Sequence, residues 1–238
     1  MASVREQFGD FDRWFSEHSG EIDIRVVEAH KSPAELPPPN ELAGLIITGS
    51  PHSVTEPEAW THHLADWTVS AIDEGVPCLG VCYGHQLIGD AFGGEVIRNP
   101  MKYEIGTIEV ELTDEGQNDA LLGQLNPGAR SLAFNAVHGD IVSRLPPGAV
   151  RLATNGVALN QAYKFRDHVW AVQFHPEFST EVMRQYIEGR AENVNADAVR
   201  RGVDPEAALK EQTESVRQTP MGPKLIRTFV ERFVLGQD

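Results

Sequence analysis

The feature that most constrains this chain is an apolar strand running straight into a glycine-flanked cysteine and then a helical pattern: Val76-Pro77-Cys78-Leu79-Gly80-Val81-Cys82-Tyr83-Gly84-His85-Gln86. A residue held between two glycines at a sharp strand-to-helix turn is presented at the carboxyl edge of a sheet, because glycine tolerates the crowding there. The neighbouring sequence supplies such a sheet. β-Branched runs at Ile22–Val27, Leu42–Thr48 and Val76–Cys82 alternate with helical periodicity over about 58–74 and 84–92. That alternation implies a doubly wound α/β arrangement with helices flanking a parallel sheet. From Ile105 to Phe174 the pattern changes to short strands (Thr107–Leu112, Val150–Ala153, Val157–Phe165, Val169–Phe174) between Gly, Pro and Asn turns, so the sheet is expected to be mixed on one side. From Glu181 onward the chain reads as helical, with periodicity over Glu206–Val216 and Lys224–Val234 and a break at Thr219-Pro220-Met221-Gly222-Pro223. The expected organisation is one domain over 1–238 with a helical C-terminal extension over 181–238.

Charge and cysteine usage exclude several classes. With 35 acidic against 20 basic residues the net charge is -15, and no basic cluster could neutralise phosphates or settle on an anionic bilayer. Nucleic acid and membrane partners are therefore not expected. The longest apolar runs are strand-sized and Met1–Gln7 does not read as a leader, so a cytoplasmic protein is expected. Cys78 and Cys82, four positions apart on one extended segment, would lie roughly 13 Å apart, beyond disulfide reach. Two thiols without histidines at ligand spacing make no zinc site, and His62-His63 falls on a solvated helical face.

At the start of a helix, Cys82 faces unpaired backbone N–H groups and the positive end of the helix dipole, which favour the nucleophilic thiolate, and it should be exposed. The alternative is a small buried hydrophobe beside turn-making glycines. A second segment, Val172-Gln173-Phe174-His175-Pro176-Glu177, ends an apolar strand with a histidine and a carboxylate two positions apart, which an extended chain would place on one side. His175 could then pair with the thiol and Glu177 could hold the other ring nitrogen, fixing its tautomer. Taken singly, His175 could make a structural hydrogen bond and Glu177 could face solvent.

Gly80-Val81-Cys82-Tyr83-Gly84-His85-Gln86 and Gln173-Phe174-His175-Pro176-Glu177 resemble the two signature blocks of class I glutamine amidotransferases, and Val137-His138-Gly139-Asp140 resembles a third block of the amidotransferase part of GMP synthetases. The match covers roughly Leu42 to Ser179, and the helical tail is similar to stand-alone, GMP synthase-like members. The resemblance implies a flavodoxin-like core and a Cys82-His175-Glu177 triad that cleaves the γ-amide of glutamine or a γ-glutamyl compound through a thioester. It further implies an oxyanion hole at the Tyr83 N–H and the loop holding Gly49 and Ser50, where one lost donor costs ~3 kcal/mol. Gln86 and the His138-Gly139-Asp140 backbone would hold the α-amino and α-carboxylate end of the substrate. Read without the resemblance, Gln86 is a helix surface residue and His138–Asp140 a turn.

No metal or organic cofactor is implied. No Gly-x-x-x-x-Gly-Lys-[Ser/Thr] fingerprint occurs, so any synthetase would be a separate chain. A stand-alone hydrolase, a glutaminase subunit feeding ammonia to such a synthetase, and a non-catalytic partner-binding relative all remain open. The loop reads Gly49-Ser50-Pro51 where many members have two glycines before the proline. Members also open with an apolar strand ahead of a segment like Arg5–Asp12, whereas here Met1-Ala2-Ser3-Val4 precedes it directly. That strand would lie between Ile22–Val27 and Leu42–Thr48, so these are expected either to pair directly or to leave Ile22–Val27 as a detached edge.

Overall fold

The run that ends at Cys82 forms a strand, Cys78–Val81, buried at all four positions, as befits a strand covered on both faces. The computed structural model describes residues 2–237; Met1, at the start of the segment read as carrying no leader, lies outside them. The chain opens with helices α1 (Ala2–Phe8) and α2 (Phe11–His18), then runs through β1 (Leu45–Ile47), α3 (Ala59–Asp73), β2 (Cys78–Val81) and α4 (Tyr83–Ala91). It continues through β3 (Glu95–Arg98), β4 (Glu104–Leu112), α5 (Asp114–Gln117), β5 (Ser131–His138), β6 (Asp140–Arg144), β7 (Val150–Thr154), β8 (Ala162–Phe165) and β9 (Val169–Val172). Helices α6 (Thr180–Gly189), α7 (Ala191–Arg201), α8 (Pro205–Ser215) and α9 (Met221–Phe229) follow, and α9 passes into a π turn over Val230–Val234.

The main sheet has seven strands in the order β1-β2-β9-β8-β7-β4-β5, and β3 pairs with β6 in a separate ribbon. Strands β1, β2 and β9 are parallel; the remaining pairings are antiparallel. The mixed α/β sheet is thus the expected one. Helices cover both of its faces. On one, Trp170, Phe134, Phe174 and Phe229 pack with α9, and on the other Ile72, Leu87, Ile88 and Tyr163 pack with α3 and α4. A third cluster joins Trp14 of α2 to α6, α7 and α8. At Gly84 an added Cβ would strike the Ile47 carbonyl, so glycine there lets α4 close on β1.

Several sequence expectations are corrected. Ile22–Val27 is not a strand; of the two expected outcomes it follows the second, lying detached from the sheet without pairing to Leu42–Thr48. Its alternation is a strand signal with no ladder to join; Ile22 N–H makes only a local bond to Gly20 O, and Val26 is 54% exposed. Among the described residues β1 forms the sheet edge. The run expected at Val157–Phe165 is a strand only from Ala162, because the Asn155 side chain accepts from the N–H groups of Val157 and Ala158 and folds that stretch into a loop. Strand β3 was not expected, and β5 and β6 carried no predicted bounds. The final helix begins at Met221, inside the anticipated break, since Pro220 and Pro223 fall in its first turn, where proline costs nothing.

Candidate active site

Parallel pairing sets the geometry. Ile47 is level with Gly80, and Val81 with Val172, so the loops after β1, β2 and β9 leave the sheet side by side at its carboxyl edge, where α/β sheets bind ligands. Cys82 stands at the turn between β2 and α4 with φ 50° and ψ -94°, a left-handed φ that a residue with a β-carbon adopts only under strain. Its N–H is bonded to Val172 O at 2.8 Å, which locks the turn to β9. Its sulfur lies 3.7 Å from Val137 O and accepts from Gln173 Nε2 at 3.6 Å. Contrary to the expected exposure, Cys82 is only 8% accessible. It lies on the floor of a cavity of about 270 Å³ whose walls include Phe11 from the α2 side and Tyr186 from α6. Cys78, by contrast, is fully buried inside β2, and burial pushes its thiol far up.

His175 and Glu177 come together differently from the extended spacing anticipated. Strand β9 stops at Val172, and His175 makes an isolated bridge to Asn135 before the chain turns, so that a turn and not a strand carries the pair. His175 Nδ1 lies 2.6 Å from Glu177 Oε1, and both side chains are almost wholly buried. Burial by itself would strip the charge from the ring. The Glu177 carboxylate hydrogen-bonded to it, together with the nearby Cys82 sulfur, outweighs that and raises its pKa from 6.5 to about 10. The arrangement therefore favours an imidazolium beside the sulfur. Phe178 stacks on the ring with centroids 4.1 Å apart.

The other anticipated residues fall around this centre. Tyr83 is the first residue of α4, where a helix leaves its N–H groups without intrahelical partners, and Tyr83 and Ser50 both line the cavity. Gly49 sits behind them. A Cβ at Gly49 would come within 2.6 Å of His175 Cε1, so its bareness makes room for the ring. Gln86, read from periodicity as a surface residue, is buried and donates from Nε2 to Asp140 O (3.0 Å) and to Gln173 Oε1 (3.1 Å). His138, Gly139 and Asp140 line the cavity too, joining β5 to β6. His138 Nε2 lies 2.9 Å from Glu104 Oε2, and the Asp140 carboxylate takes Ser53 Oγ at 2.5 Å.

Sequence reasoning missed the supports. Asn135 accepts the His175 N–H on its backbone oxygen at 2.7 Å, while its Nδ2 donates to Phe178 O at 2.9 Å, pinning both ends of the turn that carries His175 and Glu177. Its signal was available: one amide in the apolar run Leu132-Ala133-Phe134-Asn135-Ala136-Val137. Buried Glu104 also accepts from Asn155 and Gln161, and these bonds with His138 outweigh its burial and keep the carboxyl below its ordinary value.

The family model described as Glutamine amidotransferase class-I matches residues 15–191. The chain belongs to that family. It is 27% identical over 186 residues to gamma-glutamyl peptidase 3 of Arabidopsis thaliana, covering 76% of this chain and 72% of the relative. It is 31% identical over 181 residues to a GMP synthase (glutamine-hydrolyzing) of a Nitratiruptor species, covering 74% of this chain but only 32% of that protein. The chain spans 57% and 65% of the length of two yeast relatives that it also matches. A glutamine amido transferase of Methylobacillus flagellatus superposes with a TM-score of 0.73 over 96% of this chain and 89% of that one, at 24% identity. This last likeness is one of fold. In this class I amidotransferase family member the matched region contains Cys82, His175 and Glu177.

Proposed function

We propose that the chain hydrolyses the γ-amide of glutamine or of a γ-glutamyl compound through Cys82, His175 and Glu177. The observation that carries this reading is the buried His175 ring, held at Nδ1 by Glu177 at 2.6 Å and interacting with the nearby Cys82 sulfur. Cys82 Sγ forms a bond to the γ-carbonyl carbon, and the resulting oxyanion is held by the Tyr83 N–H and the Gly49-Ser50 loop. As the C–N bond breaks, the His175 imidazolium gives its proton to the departing nitrogen. A water then loses a proton to His175 and adds to the thioester, the C–S bond breaks, and glutamate leaves with the thiolate restored. Glu177 holds the ring and offsets its charge throughout. Gln86 and the Gly139-Asp140 backbone bind the amino-acid end of the substrate.

A separate synthetase partner is the second reading, favoured by the chain's matching only 32% of the GMP synthase. A glutaminase subunit would be nearly inert alone and rise sharply with its synthetase, whereas a stand-alone hydrolase is active by itself. The test is hydrolysis of glutamine and γ-glutamyl amides by the purified chain, with a glutamine-like diazo-ketone as label. Turnover that disappears in Cys82→Ser, with the label on Cys82 and not Cys78, is the expected outcome. Labelling of Cys78 first, or activity surviving in Cys82→Ser, would refute the mechanism. A folded but wholly inactive chain, unlabelled at Cys82, would favour a non-catalytic, partner-binding role.

A further inference from the structure

Beyond the triad block, α6 and α7 run almost end to end, with Arg190 between them, and they supply the far wall of the cavity above Cys82. Tyr186 of α6, Arg190 at the break and Asn193 of α7 all line it. The wall is rigidly tied to the base, since Tyr186 packs on Phe178 at 4.6 Å and Phe178 stacks on His175 at 4.1 Å. Arg190, whose N–H bonds to Tyr186 O at 2.9 Å, is thereby joined to the His175 side of the cavity.

The Arg190 Nε is buried and has no hydrogen-bond partner among the described residues. The acidic groups nearby do not supply one. Asp197 is held by Arg200 and Arg201 at 2.6 and 2.8 Å, and Asp140 by Ser53 and Arg98. Asp10, the other carboxylate lining the cavity, accepts from the Phe11 N–H. The terminal nitrogens of this half-buried Arg190 also make no hydrogen bond or ion pair among the described residues, and a guanidinium at a cavity wall is matched in shape and charge to a carboxylate. The cavity also opens onto further space. A second one of about 390 Å³ adjoins it, sharing Arg98, Tyr103, Gly139 and Asn193, and at ~30 Å³ per water it would hold roughly a dozen.

We propose that Arg190 is a specificity-determining residue that takes a carboxylate on the leaving amine, so that the substrates are γ-glutamyl amino acids or peptides. This rests on the hydrolase reading above and names its substrate class. A cationic amine leaving group would be repelled by the same guanidinium, and ammonia would gain nothing from it.

The test compares γ-glutamylglycine with its neutral isostere γ-glutamylglycinamide in the wild type, Arg190→Met and Arg190→Lys. In the wild type kcat/KM should favour the carboxylate substrate by about 10- to 100-fold, chiefly through KM, the scale of one charge-assisted hydrogen bond. Arg190→Met, which keeps the apolar stem, should bring the ratio close to one, and Arg190→Lys should retain part of it. Cys82-dependent cleavage with no wild-type preference, or a ratio unmoved in a folded Arg190→Met, overturns this proposal and leaves the hydrolase reading standing. No Cys82-dependent cleavage of any γ-glutamyl amide overturns both. If Arg190→Met fails to fold, the wild-type ratio and Arg190→Lys decide.

Discussion

Gly49→Ala should disable the site without unfolding the protein. Its Cβ would stand 2.6 Å from His175 Cε1, and carbon atoms pack best from about 3.5 Å, so relieving the contact fully moves the ring by about 0.9 Å. The ring cannot move freely. Phe178 lies against its face and Glu177 holds Nδ1 at 2.6 Å, and a move of that size shifts the ring relative to the Cys82 sulfur. A misplacement of about 1 Å in a catalytic group costs roughly 100-fold in rate, or about 2.7 kcal/mol of barrier. The assay is steady-state hydrolysis of a γ-glutamyl amide together with the rate of diazo-ketone labelling at Cys82. Both should fall about 100-fold, with KM little changed and the circular dichroism spectrum retained. Wild-type kcat in a folded Gly49→Ala would show that the position of the His175 ring does not govern the reaction.

Three further outcomes follow from the same geometry. His175→Ala should lose several orders of magnitude in kcat and Glu177→Ala less, because the carboxylate acts through the ring; equal losses in two folded variants would refute that division of roles. A His175 pKa raised from 6.5 to about 10 means stability fully present below pH 6.5 and lost as pH rises through about 10. Melts of wild type and Glu177→Gln should accordingly differ most at low pH and converge toward pH 10, and a pH-independent gap would contradict the pairing. Gly84→Ala drives a methyl into the Ile47 carbonyl and should cost about 1–3 kcal/mol, seen as a lowered Tm at roughly 2–4 °C per kcal/mol; an unchanged Tm would mean α4 and β1 can separate freely.

Much of the site was legible because its parts are local. The glycine-flanked turn at Cys82, the His175-Pro176-Glu177 run and the helix start at Tyr83 each lie within a few residues, where sterics and backbone hydrogen bonding act directly. The two blocks could be assigned to neighbouring loops because both follow apolar runs, and parallel strands end at the same edge. Ile22–Val27 misled for the complementary reason: alternation states a readiness to pair and says nothing about whether a partner ladder is within reach. Strand β3 escaped notice because it is short and has charged, exposed ends at Glu95 and Arg98, and the apolar run of β5, interrupted by Asn135, gives no clean alternation.

What the sequence by itself determined is the chemistry on offer: a strained cysteine elbow, a histidine and a carboxylate, in an acidic α/β chain. Only the tertiary structure decided how deep the cysteine lies, that a turn pinned by Asn135 and not a strand joins His175 to Glu177, and that Gly49 yields space to the ring. It alone brought Arg190, 108 positions beyond Cys82, to the wall of the same cavity. The reason is that burial, contact and pKa depend on which surfaces meet, and here they meet between segments far apart in the chain, where no local pattern records the encounter.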